Sequence, residues 1–454
     1  MRRSKRILLL LALAACATGA WFVPPQIRFL RVACGHAAKA ACSAIFVAGR
    51  DLASVRAEEL ERFGILDIEV DRDAKTVTAS AFGIASATAR FRPGLGATLI
   101  HDASRPLSPP RIDPPAVPAD FVDFASHPLT ALDPVLDEAF AEPDPAHPRR
   151  TRAVLVVRDG TILAERYAPG FGPDTPQLGW SMSKTVLVSL LAILANDGKL
   201  DLRSPAPLAS FREAHDGRAT ITVDQLLRME SGLSFRETYD DPDSDVLRML
   251  FGADDMGDFA ARRDIAAPPD TVRRYSSGTS LILSRMLREI VGDEAVTNFA
   301  RDRLFAPLGM RTALVEFDPS GTPVGSSYVW ASARDWARLG TLWLHDGVLR
   351  GQRVFPEGFV HYATTPTPHG HGRFGAHVWL NRPDGDAPVD PVNGARRWPH
   401  VPDDAFWAAG FDGQYTVVVP SADAVIVRLG QTPGRDAFDM DAMVGAILRV
   451  LVPR

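Results

Sequence analysis

Gly179-Trp180-Ser181-Met182-Ser183-Lys184-Thr185-Val186-Leu187 opens an apolar run that continues through Leu190, Leu191 and Leu194 and stops at Asn196-Asp197-Gly198. Its apolar residues go most of the way round a helix, so the run predicts a central, buried helix beginning near Ser181. Serine and lysine three residues apart share one face of such a helix, about a turn from each other. A serine hydroxyl is a weak nucleophile until a neighbouring group takes its proton. A lysine can do so when burial or nearby positive charge lowers its pKa. The helix N-terminus also favours the negative charge that develops on the serine oxygen. Lysine is otherwise scarce: of the 50 Lys and Arg residues, only Lys5, Lys39, Lys75, Lys184 and Lys199 are lysine. Arginine carries charge almost anywhere but cannot act as a base, so Lys184 is a candidate for chemistry.

Two further stretches extend this constellation. Arg274-Tyr275-Ser276-Ser277-Gly278 precedes a helix beginning near Thr279. A tyrosine at such a junction can act as phenolate base and then as acid when a lysine holds it, while Ser276 or Ser277 suits a helix cap. Ala408-Ala409-Gly410-Phe411-Asp412-Gly413-Gln414-Tyr415 leads into a strand over Thr416 to Pro420. A glycine at a strand edge lets substrate approach the backbone, and a main-chain N–H there can serve an oxyanion hole.

Around these stretches the chain divides into regions. Residues 1–23 carry Arg2, Arg3, Lys5 and Arg6, then an uninterrupted apolar run from Ile7 to Ala15. A basic start followed by a short apolar run is an export signal. Leu13-Ala14-Ala15-Cys16 matches a bacterial lipobox, with Cys16 the residue acylated. An uncleaved anchor, continuing through Trp21, Phe22 and Val23, is the competing reading. Either tethers the protein outside the cytoplasm, at the periplasm or cell exterior. Residues 24–101 are expected to form a small β-rich unit, with strands at Ile65–Val70, Lys75–Phe82 and Ala87–Phe91. Residues 102–124 hold Pro106, Pro109, Pro110, Pro114, Pro115 and Pro118, which favour an extended linker. Residues 125–454 form the main domain. It opens with a helix at Asp133-Pro134, followed by a hairpin turning at Asp159-Gly160. Helices over 223–230, 279–291 and 333–346 follow, then strands at Gln414–Pro420 and Ala424–Leu429 and a helix at Asp439–Val452.

Composition removes other classes. The net charge is −5 with both signs interspersed, unlike the concentrated basic face of a nucleic-acid binder. There is no H-E-x-x-H and no P-loop, and Gly179-Trp180-Ser181-Met182-Ser183 lacks the last glycine of a G-x-S-x-G elbow. His369-Gly370-His371 is expected to be solvated surface. Beyond Cys16, Cys34 and Cys42 are either a pair in an oxidising compartment or two buried free thiols.

The order S-x-x-K, Y-x-S, Gly-containing strand resembles the serine β-lactamase and penicillin-recognising superfamily in its class C-like branch, across roughly 125 to 454. Ile221-Thr222-Val223-Asp224-Gln225-Leu226-Leu227 with Ser231-Gly232-Leu233, and Ser332-Ala333-Arg334-Asp335-Trp336-Ala337-Arg338, belong to the same resemblance. It looks most like the 6-aminohexanoate-dimer hydrolases and related carboxylesterases, because Thr238-Tyr239-Asp240-Asp241-Pro242-Asp243-Ser244 is similar to their segment before the middle motif.

The resemblance implies an α+β fold of β-lactamase/transpeptidase type: an antiparallel sheet flanked by helices beside a helical subdomain. It implies that Ser181 attacks an amide or ester carbonyl of a small substrate while Lys184 and Tyr275 manage its proton. Backbone N–H groups of Ser181 and Phe411 would hold the oxyanion, and Gly410, Tyr239 and Ser277 would bind substrate. No metal or organic cofactor is implied. Lys or His stands at the position of Ala408 in β-lactamases and transpeptidases, and alanine argues against their reactions here unless Arg396, Arg397 or His400 replaces the charge. A β-lactamase or D-alanyl-D-alanine carboxypeptidase is the enzymatic alternative, and a non-catalytic anchored binding protein the other.

Overall fold

The structure is a computed structural model and describes residues 26–383, 397–434 and 437–452, apart from 105, 108, 110 and 120. Two compact units emerge from its contacts. The first holds the described residues up to Phe91, together with Ala97–Pro106 and Arg236–Asp254; the second holds Arg92–Gly96, Leu107–Phe235 and the chain from Asp255 onward.

In the first unit, four strands lie in the order β1 (Asp67–Asp71), β2 (Thr76–Ala81), β3 (Ala85–Arg92), β4 (Gly96–Ile100). β2 alternates buried and half-buried positions, with Val77, Ala79 and Ala81 inward, as a strand covered on one face should. A helix that the sequence reading did not anticipate, α1 (26–46), accompanies the sheet. It buries Ala33, Cys34, Ala37, Ala38, Ala41, Cys42 and Ala44. Small residues let it approach the strands closely, but they carry little hydrophobic contrast by which to recognise a helix. Cys34 and Cys42 are free, buried thiols, each Sγ 3.7 Å from a carbonyl oxygen of β3, at Ala85 and Ala89. Eight residues along one helix separate them by about 12 Å, beyond disulfide reach, so the pairing considered from sequence does not form. The helix Asp245–Gly252 belongs to this unit too, with the Phe251 ring tilted against His36 of α1 at 5.2 Å.

The second unit is built on a seven-stranded sheet. Its strands are β5 (Ala125–Ser126), β6 (Thr151–Arg158), β7 (Thr161–Tyr167), β11 (Trp379–Leu380), β12 (Phe406–Gly410), β13 (Gln414–Val419) and β14 (Ala424–Gly430). They lie in the order β11-β12-β13-β14-β6-β7-β5, antiparallel throughout except for β5 on β7. Strands from the two ends of the domain therefore meet at β14–β6, where Ile426 sits opposite Val156. The Asp159-Gly160 turn joins β6 to β7 as its sequence predicts.

Side-chain alternation sorts the helices to the two faces. Val154, Val156, Val417 and Ile426 form one core with Leu132 and Leu136 at helix α2 (Asp133–Phe140) and with Val444 and Ile447 of the final helix (Met440–Leu451). On the other face, a Cβ at Gly340 of the helix Ala333–Leu344 would meet Val425 and Thr416, so that helix lies directly on β13 and β14. The apolar run from Thr185 to Leu194 forms helix α3 (Ser183–Asn196), buried along nearly its whole length. A short three-stranded sheet in the order β8 (Gln177–Leu178), β10 (Val329–Ala331), β9 (Leu314–Val315) closes the region before α3.

Candidate active site

Ser181 lies in a single 3₁₀ turn, Trp180–Met182, immediately ahead of α3. Trp180 holds a left-handed backbone, φ +46°, a conformation that costs a bulky residue free energy and persists only where its surroundings enforce it. Those surroundings are the ladder of β8 on β10. Leu178 pairs with Trp330, the amide of Gly179 donates to the carbonyl of Val329 at 2.9 Å, and the amide of Val329 donates to Oγ of Ser183 at 2.9 Å. The chain on both sides of Ser181, through the Gly179 amide and the Ser183 hydroxyl, is thereby tied to residues almost 150 positions away.

Lys184 follows one turn later and is buried. Its Nζ donates to Oγ of Ser181 at 3.1 Å, to Oγ of Ser277 at 3.2 Å and to the carbonyl oxygen of Ser326 at 2.9 Å. Three oxygens thus surround Nζ and fix its position. Ser277 is supplied by helix α4 (Ser277–Val291), whose N-cap is Ser276, accepting from the amide of Thr279 at 3.0 Å. The same cap places Tyr275 beside the lysine: Nζ stands 5.0 Å from the Tyr275 ring centroid, a cation–π distance. Tyr275 stacks on Trp379 at 5.8 Å and meets Phe374 edge-on at 6.1 Å.

The third wall is the end of β12. A Cβ at Gly410 would collide with the carbonyl oxygen of Gly179, so only glycine lets this strand edge lie against the segment that carries Ser181. Phe411 follows, half exposed, its ring 5.8 Å from Trp180 in a T-shaped contact. The turn after it is held from below. The amide group of Gln414 donates to the carbonyls of Phe411 (3.2 Å), Asp412 (3.1 Å) and Gly430 (2.6 Å). Arg428 donates to the carbonyl of Gly413 at 2.8 Å. Complete burial lowers the pKa of Arg428 to about 9, so it stays a cation at neutral pH.

A hydroxyl, a buried lysine, a tyrosine and a fixed glycine strand edge around one point are the parts of an acyl-transfer site. The family model described as Beta-lactamase matches residues 136–448. The chain belongs to the beta-lactamase family. The 6-aminohexanoate-dimer hydrolase of Paenarthrobacter ureafaciens is 27% identical over 323 residues, covering 66% of this chain and 77% of the relative. Among solved structures, a putative 6-aminohexanoate-dimer hydrolase from Bacillus anthracis superposes with TM-score 0.60 at 21% identity, over 76% of this chain and 92% of that one. EstA from Arthrobacter nitroguajacolicus gives TM-score 0.53 at 18% identity, over 72% and 98%. These structural likenesses confirm the fold read from sequence.

Against the beta-lactamase-family pattern, the cations near the site are arranged individually. Ala408 is a buried alanine in β12. His400 is engaged elsewhere, its Nδ1 2.6 Å from Asp441 of the final helix. Arg397 lies over Trp379 at 5.1 Å, one ring from Tyr275. Arg396 falls outside the described residues, as does Cys16. Tyr239 belongs to the segment counted with the first unit, where its hydroxyl donates to Glu237 at 2.9 Å. Ser277 is buried, with its Oγ accepting from Nζ of Lys184 at 3.2 Å. His369 is half exposed, but it is not simply solvated: Nδ1 and the backbone amide both meet Oε1 of buried Glu230, at 2.9 and 3.1 Å.

Two participants were not anticipated. The carbonyl of Ser326 is a main-chain group, and no residue type announces it. His377, completely buried, packs behind α4 with Nε2 2.9 Å from Oγ of Ser280 and Nδ1 2.5 Å from the carbonyl of Leu227. The carbonyl can only accept, so Nδ1 carries the proton and Nε2 accepts from Ser280. Burial first, and the charge of Lys184 after it, lower its pKa to about 3; His377 is a neutral imidazole at physiological pH. No helix among the described residues is long and apolar enough to cross a membrane.

Proposed function

We propose that this chain is an exported, membrane-tethered serine hydrolase that cleaves amide or ester bonds of small substrates through an acyl-enzyme on Ser181. The observation that carries the reading is the buried Lys184 Nζ, 3.1 Å from Oγ of Ser181 and fixed from two other directions by Ser277 and Ser326. In the acylation step Oγ attacks the substrate carbonyl carbon, and its proton passes to the Lys184–Tyr275 pair. Backbone N–H groups of Ser181 and Phe411 hold the resulting oxyanion beside the strand edge at Gly410. Collapse expels the amine or alcohol, which takes a proton from Tyr275. A water deprotonated by the same pair then cleaves the acyl ester and restores Ser181.

The flanks suit a small, partly apolar substrate. Trp180 and Phe411 form one side, while Tyr275 and Trp379, backed by buried Phe374, form the other. The named activity of the Paenarthrobacter relative points to short linear amides. The absence of a basic residue at Ala408 disfavours a β-lactam or a D-alanyl peptide, whose carboxylate needs a cation. The tether is carried by the basic and apolar sequence of residues 1–23.

Hydrolysis of p-nitrophenyl butyrate by the full chain, beside Ser181→Ala, tests the reading. Turnover that vanishes in the variant, together with Ser181-dependent labelling by a fluorophosphonate, is the expected result. Equal inactivity and no labelling would favour a binding protein, and cleavage of a chromogenic cephalosporin in preference to esters would favour a β-lactamase.

A further inference from the structure

Four large apolar side chains of the first unit stand open to solvent: Phe82 at 69%, Ile65 at 61%, Ile84 at 56% and Phe29 at 50% exposure. Single exposed apolar residues are ordinary on a protein surface. A cluster is not, and strand register shows that these four form one.

Phe82 and Ile84 flank Gly83 in the turn between β2 and β3, closed by the amide of Ile84 donating to the carbonyl of Ala81 at 2.9 Å. Asp67 of β1 pairs with Ser80 of β2, so Ile65, two residues before β1 starts, lies level with that turn. Helix α1 runs alongside β3 in the same direction. Cys34 meets Ala85, Cys42 meets Ala89, and Phe46 stacks on Phe91 at 5.6 Å. Eight helix residues and four strand residues each advance about 12–13 Å, so the two elements keep step. Phe29, five residues before Cys34, therefore lies at the turn end of the sheet. The exposed Arg31 belongs to the same turns of α1, as does Arg28, which is ion-paired with Asp243 at 2.9 Å.

The turn itself is built at a cost. Phe82 has φ +54°, a left-handed conformation that suits glycine or asparagine and penalises a bulky side chain. A phenylalanine kept there, pointing at water, gains nothing within the unit. The chain supplies the missing contact: α1 is entered at this end from residues 1–25, whose sequence has four basic residues and then the apolar stretch Ile7–Ala15.

We propose that this end of the first unit rests on a phospholipid surface, with Phe82 and Ile84 dipping to the boundary between headgroups and acyl chains. The inference rests on the tether proposed above. Apolar side chains carried on a tight turn beside an exposed basic residue suit a fluid interface, which takes up the apolar groups and accommodates the basic side chain among anionic headgroups.

The test uses the full chain with vesicles of phosphatidylcholine and phosphatidylglycerol. An environment-sensitive fluorophore is placed by Ile84→Cys, or by Asp73→Cys in the β1–β2 turn at the opposite end of the sheet. Cys16, common to both variants, contributes equally. The expected result is flotation of both, with a blue shift and roughly two-fold quenching by nitroxide lipids at position 84 only. Flotation with both probes in water overturns the tip contact and leaves the tether standing. Failure to float overturns the tether, and the proposal with it. A blue shift at position 84 without vesicles also overturns the proposal: concentration dependence would mean that a second copy covers the tip, and its absence that residues 7–23 fold back over it.

Discussion

Lys184 Nζ lies 2.9 Å from the carbonyl oxygen of Ser326, a residue 142 positions further along the chain. A backbone carbonyl is an acceptor that no side-chain substitution can remove, and it fixes the lysine independently of the serine it faces. In the mechanism proposed above, Ser181 therefore meets a base whose position is set before substrate arrives, which is how an active site avoids reorganisation during reaction.

Lys184→Arg keeps the charge and loses the chemistry. Guanidinium does not serve as a base near neutral pH, and its planar fork cannot reproduce the three directions now taken by Ser181, Ser277 and Ser326. The kcat/KM for p-nitrophenyl butyrate is expected to fall by about 10³-fold, the range of general-base removal, with far-UV circular dichroism unchanged. Activity within about ten-fold of wild type would show that Lys184 only supplies charge.

Gly410→Ala tests the strand edge. The new Cβ meets the Gly179 carbonyl oxygen, backbone against backbone, so no side chain can swing aside. Relief must come from β12 moving away from the 3₁₀ turn, carrying the Phe411 amide with it. Loss of one oxyanion donor typically costs about 10²–10³-fold in kcat. We expect a loss of that size in kcat with KM changed little, read from steady-state ester hydrolysis. A near-normal kcat would remove Phe411 from the oxyanion role.

The parts of the site legible in the sequence were those fixed by local spacing. Ser181 and Lys184 share a helix face, Ser276 caps α4 and so delivers Tyr275, and Gly410 precedes a turn. The contacts that complete the site are long-range. Ser326 acts through its main chain, and Ser183 bonds Val329 only because β8 and β10 pair. Helix α1 was missed for a different reason: its inward face is alanine and cysteine, whose small volumes pack well but give no strong periodic signal. Strands β13, β14, β6 and β7 of the large sheet were legible because each is an apolar-rich run bounded by Asp-Gly, Pro or Gly, whereas β5 and β11 are two residues long and carry no such signal. The sheet's closure by strands from both domain ends followed from their order alone.

The thiols Cys34 and Cys42 are buried and unbonded, and burial raises the pKa of Cys34. Both effects suppress the thiolate that reacts with disulfide reagents. Titration with such a reagent is expected to find neither thiol in the native full chain and both after unfolding, and reductant should leave the melting temperature unchanged. A melting temperature lowered by reductant would mean that the two are bonded in the protein.

Acid should loosen the protein through its buried histidines. His377 is held near pKa 3, and His36, buried in the first unit beside Lys39 and Arg62, near 4, whereas an unfolded histidine titrates near 6.5. Between those limits the unfolded chain binds the extra protons, so stability is full above pH 6.5 and falls as pH drops through the window. Asp318 acts in the opposite direction. Burial raises its pKa to about 6, so its folded form takes up a proton first and recovers part of the loss below pH 6. The two effects separate in a comparison of wild type with His377→Asn, which removes one titrating site and leaves Asp318 in place. Denaturant midpoints between pH 7.5 and 5 should show wild type losing up to about 1.4 kcal/mol per pH unit more than the variant below pH 6.5. Parallel pH profiles would mean that His377 is charged in the folded protein, and its hydrogen bond from Ser280 would then have to be reassigned.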